Sequence, residues 1–152
     1  MAAPLLRIEL TDRQSRWPVD AAGLLRAVEL VLAAEGPEEC QVHLAVVDDA
    51  EIHQINREFL AHDEPTDVIT FVLEQDAGRL EGEIIVSADT AARLAAEVGW
   101  PLKNELTLYA LHGALHLVGY DDLDSESAQV MRGKEAFYLQ QLGIDPSAAR
   151  RF

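Results

Sequence analysis

Asp67-Val-Ile-Thr-Phe-Val-Leu73, the turn-rich Asp76-Ala-Gly-Arg79 and Glu83-Ile-Ile-Val-Ser87 follow one another in the middle of the chain. The first and last runs are β-branched and apolar, as strands are, and the stretch between them can fold them into a hairpin. Leu5 to Leu10 reads as an earlier strand, and Gln41 to Val47, with Val42, Leu44 and Val46 alternating, as another. Between these two, Val19 to Glu35 has helical spacing, with Leu24, Leu25, Val28, Val31 and Leu32 as its buried stripe and Gly36-Pro37 as its stop. Asp48 or Asp49 caps a short helix to about Phe59, and Ala61 to Thr66 reads as a polar loop. After the hairpin come three helices. Ser87 or Asp89 caps the first, which ends at Gly99. Pro101 or Asn104 opens the second, and Asp124 or Ser125 starts the third, which runs to Gly143. The order β-α-β-α-β-β-α-α-α implies an α+β fold: a mixed four-stranded sheet packed with about five helices.

The chain has 152 residues, 49% hydrophobic and 26% charged, which suits one domain over 1–152 with a sizeable core. No apolar stretch is long enough to span a bilayer, and the N-terminus has no leader pattern, so no membrane partner is expected. Cys40 is the single cysteine; it excludes an intrachain disulfide and suits a reducing cytoplasm. The formal net charge of −15 argues against a broad electrostatic grip on nucleic acid, and no DNA partner is expected. It leaves room for a small basic site, or for a metal ion that meets phosphate directly. Ten of the 12 basic residues are arginine, which can hold phosphate through two parallel hydrogen bonds.

The chemistry is concentrated in His112-Gly-Ala-Leu-His116-Leu-Val-Gly-Tyr-Asp-Asp122. Residues four apart on a helix differ by about 40° and a rise of about 6 Å, so both imidazoles leave one face and can converge on one ion. Gly119 lets the chain turn back, and Asp121 and Asp122 follow within reach. The helix is otherwise apolar through Leu111, Leu115, Leu117 and Val118, where imidazoles need partners. Gly113 stands where a His-Glu-x-x-His protease places its general base; a small residue leaves room beside an ion but supplies no base.

This segment closely resembles the HGxLHLxGYDH signature of the YbeY family, bacterial endoribonucleases of ribosomal RNA maturation. Pro65-Thr-Asp-Val-Ile-Thr-Phe71 is similar to that family's PTDVLSF segment, Gly82-Glu-Ile-Ile-Val-Ser87 to its GDIxIS strand, and Glu105-Leu106 to the Glu-Leu ahead of its metal helix. The likeness runs from about Val42 to Tyr138. It implies one catalytic-type divalent metal, usually taken as Zn2+, held by His112, His116 and Asp122. It also implies a cytoplasmic, metal-dependent hydrolase that cleaves single-stranded RNA, acts at the 3′ end of 16S ribosomal RNA and in ribosome quality control, and has the small ribosomal subunit as partner. The rival readings are a metal-binding ribosome-associated maturation factor with little nuclease activity, and a hydrolase of another substrate.

Two positions depart from the pattern. Asp122 stands where the family has its third histidine. Two histidines and one aspartate leave a divalent site about one unit less positive than three histidines, which makes Mn2+ or Fe2+ more plausible beside Zn2+. Leu60 stands where the family has an arginine thought to touch RNA. Arg57, one helical turn earlier, is the candidate substitute as catalytic and substrate-binding residue, with Thr66 a second substrate contact and His62 and Asp63 further polar candidates. No general base is identifiable; Asp67 is a candidate that serves equally as a structural acceptor. Trp17 and Trp100 read as packing residues, His43 as a sheet-surface side chain, His53 as solvent-facing, Cys40 as half-buried and without a partner, and Arg150-Arg151 as too short for an RNA tail.

Overall fold

The computed structural model describes residues 5–60 and 66–149. The strands are β1 (Leu5–Asp12), β2 (Glu39–Val47), β3 (Val68–Asp76) and β4 (Arg79–Ser87). The helices are α1 (Ala21–Glu35), α2 (Asp49–Leu60), α3 (Ala88–Val98), α4 (Leu102–Leu117) and α5 (Ser125–Gln141), and a short 3-10 helix follows at Pro146–Ala149. The sheet order is β1-β2-β4-β3. β1, β2 and β4 run parallel, and β3 pairs antiparallel with β4, so the sheet is mixed and the fold α+β as expected. His62, Asp63 and Arg150-Arg151 lie outside the described residues.

The expected caps explain most helix starts. Ser87 and Asp124 accept the amides of Thr90 and Ser127, and the Glu51 amide donates to Asp48. Asp20, a cap the sequence did not suggest, accepts the Gly23 amide at the start of α1. Pro101 occupies the entry to α4 without a side-chain bond. The hairpin is longer than its apolar runs suggest. β3 continues to Asp76 and β4 starts at Arg79, because the distal arms are polar and exposed and are joined by Arg79 to Glu74 at 2.7 Å. In α1, Leu25 is only half-buried and Ala27 takes the core position. Cys40 is fully buried rather than half-buried, and its thiol donates to the Pro37 carbonyl at 3.6 Å.

Alternation divides the sheet into two faces. Val42, Leu44 and Val46 of β2, with Ile84 and Val86 of β4, pack into the main core with α1, α3, α4 and α5. Ala45, Val47, Ile69 and Ile85 turn the other way and are covered by Ile52 and Ile55 of α2. α2 and α4 thus lie on opposite faces. α4 is the central element: 11 of its 16 residues are buried, which is why its sequence shows little one-sided periodicity.

Gly113 sets how closely α4 approaches the sheet. A Cβ there would stand 2.5 Å from Cγ2 of Ile84, a fully buried and stiff β-branched residue. Its smallness therefore serves helix–sheet packing and does not, as the sequence suggested, make room beside an ion. Gly113→Ala is expected to cost about 1–3 kcal/mol by overpacking. Thermal melts should fall by several degrees; an unchanged melting temperature would contradict the close approach.

Candidate metal centre

His112 and His116 leave one flank of α4 near its C-terminus, with ring centroids 4.6 Å apart and the two Nε2 atoms at 3.0 Å. Beyond the helix the chain turns at Gly119, whose φ of +111° is disfavoured for residues with a side chain. The Gly119 and Tyr120 amides close the turn on the His116 and Leu115 carbonyls at 3.1 and 3.0 Å. This brings Asp122 back over the helix. Its Oδ2 lies 3.7 Å from His112 Nε2 and its Oδ1 3.7 Å from His116 Nε2. One ligand atom from each of the three residues falls within 4.8 Å of the others. Asp122 rather than Asp121 completes the cluster; Asp121 accepts the Leu123 amide at 3.3 Å.

The far sides of both rings are fixed. His112 Nδ1 donates to Glu135 Oε2 at 3.0 Å, and Glu135 is only 5% exposed. The His116 ring donates to the Tyr120 backbone. These bonds leave the two Nε2 atoms facing each other, and two lone pairs at that separation repel unless a proton or cation lies between them. Burial disfavours charge on His112, but the Glu135 hydrogen bond and the charges of Glu135, Asp122 and Asp67 outweigh it and raise its pKa. Burial and then the neighbouring His112 lower that of His116. The two shifts run in opposite directions, so of the pair His112 is the ring that takes up a proton more readily.

The donor set fits a divalent ion. Ligands about 2.0–2.1 Å from a tetrahedral ion stand roughly 3.3 Å apart, and the separations here bracket that value. Three ligands leave a coordination position open, as catalytic sites require. The carboxylate behind His112 is the support that orients a ligating imidazole and fixes its tautomer.

The cluster borders a cleft of about 470 Å³ whose lining includes Asp67, His112, Asp122, Met131, Arg132 and Glu135. Asp67 Oδ1 accepts the Val68 amide at 2.8 Å and the Thr66 hydroxyl at 3.3 Å. Thr66 thus stands behind Asp67 and is not a lining residue. Arg57 is exposed on α2, across the sheet from α4, and does not line the cleft. Glu135 and Arg132 escaped the sequence reading. Glu135 was detectable as an acid within the core-facing series Met131, Tyr138 and Leu139 of α5.

The other residues singled out take structural places. Trp100 is buried and donates to buried Glu105 at 2.9 Å; Trp17 donates to Asp89 at 2.8 Å. His43 bonds Thr11 across the sheet surface at 2.8 Å.

The family model described as Endoribonuclease YbeY matches residues 9–143. The chain belongs to the YbeY family. Among YbeY relatives, Endoribonuclease YbeY of Pelotomaculum thermopropionicum is 41% identical over 146 residues, covering 89% of this chain and 96% of the relative. The YbeY protein of Geobacter sulfurreducens is 37% identical, covering 91% and 98%. That of Rhodopirellula baltica is 44% identical over 80% of this chain, and the match spans only 64% of that longer protein. A solution structure of TM1509 from Thermotoga maritima superposes with a TM-score of 0.63 at 28% identity, covering 91% of this chain and 89% of that one.

A metal ion entering the cluster competes with protonation of His112. Because that group's pKa is raised, the competition strengthens as pH falls through and below the neutral range, so Zn2+ affinity should rise with pH and binding should release protons. Titration calorimetry in buffers of different ionisation enthalpy checks this; proton-neutral binding at pH 6.5 would refute it. Glu135→Gln should weaken Zn2+ binding about 10–100-fold, read by chelator competition.

Proposed function

We propose that this protein is a metal-dependent endoribonuclease that cleaves single-stranded RNA in late ribosomal RNA processing. The observation that carries the reading is the His112, His116 and Asp122 cluster at the edge of an open cleft, in a chain of a family whose relatives are named endoribonucleases. The RNA acted on is the 3′ end of 16S ribosomal RNA, with the small ribosomal subunit as partner, ribosome quality control as a further role and the cytoplasm as the place of action. Among the described residues no helix is long and apolar enough to cross a membrane.

His112, His116 and Asp122 would hold one divalent ion, Zn2+ first and Mn2+ or Fe2+ favoured by the aspartate. When bound, such an ion supplies Lewis acidity toward a phosphoryl oxygen and acidifies water. Glu135 keeps the His112 Nδ1 proton and so holds Nε2 toward the cluster. Asp67 and Glu135 are lining carboxylates outside the cluster, and Glu135 is taken up by His112. The Oδ1 of Asp67 is engaged by Val68 and Thr66, and Oδ2 has no partner among the described residues. We assign Asp67 Oδ2 the role of accepting a proton from the attacking water. Thr66 orients that carboxylate rather than touching substrate.

His116→Ala is expected to lose both bound metal, measured by mass spectrometry of the purified protein, and cleavage of a single-stranded oligoribonucleotide. Undiminished RNA cleavage by the metal-free variant would sink the proposal. Metal binding without cleavage in the wild type would favour the maturation-factor reading.

A further inference from the structure

The cleft carries an arginine that neither the metal cluster nor the proposed proton transfer uses. We propose that Arg132 of α5 binds a backbone phosphate of the RNA strand lying in the cleft, the contact that Arg57 is not placed to make. The inference rests on the endoribonuclease reading.

Three observations support it. First, Arg132 lines the same cleft as His112, Asp122 and Asp67. It lies three residues before Glu135, so the two side chains share one face of α5, about 5–6 Å apart at Cβ. Glu135 is buried against His112, whereas Arg132, one turn toward the start of the helix, is exposed. The metal ligand's support and the cation thus sit at the depth and the rim of one wall.

Second, Arg132 is uncommitted among the described residues. Arg79 is engaged by Glu39, Glu74 and Glu81, Arg93 by Asp49, and Lys134 by Glu35. Arg132 makes no ion pair or hydrogen bond among the described residues. None of the nearby carboxylates is in ion-pair contact with it: Glu135 bonds His112, Asp122 faces both histidines, and Asp67 accepts from Val68 and Thr66 through Oδ1. A guanidinium with no partner among the described residues retains both donor edges for a planar, bidentate phosphate contact.

Third, the charge balance favours a cation. With both histidines neutral, the carboxylates of Asp67, Asp122 and Glu135 exceed a divalent ion by one negative charge. Such a cleft repels phosphate, and the net charge of −15 gives no compensating field. Arg132 cancels that excess at the point of entry. Part of the excess comes from Asp122, so the aspartate and the arginine act as complementary features of this chain.

Binding of a fluorescein-labelled, 2′-O-methylated single-stranded oligoribonucleotide to the Zn2+-loaded protein tests the assignment by anisotropy across a salt series. Arg132→Gln should weaken binding roughly three- to tenfold and flatten the slope of log K against log salt by about 0.7, the value of one phosphate contact on a single strand. Zn2+ affinity should not change. Arg132→Lys should keep the salt slope while losing part of the affinity. Arg57→Gln should leave both unchanged. An unaltered slope in Arg132→Gln, or a slope lost in Arg57→Gln instead, would overturn this inference alone. Failure of the wild type to bind the RNA at all would overturn the endoribonuclease reading with it.

Discussion

The contact between α4 and β4 at Gly113 and Ile84 is the constraint on which the site depends. Because Gly113 has no side chain, α4 can lie against the sheet with Ile84 filling the space a Cβ would take. Gly82 of the sheet repeats the arrangement from the other side, receiving the Leu117 side chain where its own Cβ would be. Residues 113 and 117 are four apart and so face the sheet together, which fixes the rotation of the helix as well as its distance. Each residue advances about 100° around the axis, so residues 112 and 116 are turned to the flank, neither buried against the sheet nor free in solvent. Their side chains are about one-quarter exposed, a depth that lets two imidazoles be reached from the cleft while being held from behind.

That half-burial creates the electrostatic problem the cluster solves. Two imidazoles whose outer nitrogens are fixed by Glu135 and Tyr120 must face each other with lone pairs, and the separation of 3.0 Å demands a positive charge between them. A shared proton would meet the demand, and a divalent ion would meet it with Asp122 as a third donor. The loop bearing Asp122 is itself anchored at a distance. The Tyr120 hydroxyl donates to Glu35 at the end of α1, Tyr138 of α5 donates to the other Glu35 oxygen, and Lys134 adds its charge at 3.4 Å. Burial opposes the charge on Glu35, yet these donors hold its carboxyl below the usual range; burial, and then the bond to Glu35, push the Tyr138 hydroxyl up. One carboxylate thus joins α1, α5 and the loop that bears Asp122, so the most exposed member of the cluster stands two residues after Tyr120, which is pinned at both its backbone and its side chain.

Periodicity and local chemistry carried the fold a long way. The β-branched runs, the capping aspartates and Ser87, and Gly36 and Gly99 mark elements whose signals lie within a few residues of chain, and the structure reproduces them. The sheet order was not legible, because which strand lies beside β2 is decided by packing of faces rather than by any one segment. The polar arms of the hairpin were missed for a related reason: Glu74 and Arg79 stabilise the ribbon through each other, and hydrophobic alternation is blind to such a pair. His112 and His116 were readable because their spacing is a property of a single helix. Asp122 required the glycine turn and the family likeness. Glu135 lies 23 residues from the ring it supports, and no local pattern joins the two.

Arg57 shows the same limit in the opposite sense. Three residues of sequence separate it from Leu60, and that proximity suggested a shared role, yet α2 lies on the sheet face away from α4. Proximity in the chain places a residue on an element; only the alternation of β2 and β4 says which face that element covers. The cation at the cleft instead comes from α5, more than seventy residues later. This distribution makes physical sense for an acidic protein. A broad basic surface would bind any polyanion with affinity that falls steeply with salt. A single arginine beside a metal cluster, on a surface that otherwise repels phosphate, gives useful attraction only to a strand that reaches both at once. Such a strand must be thin and flexible enough to enter the cleft, which favours an unpaired RNA segment over a duplex.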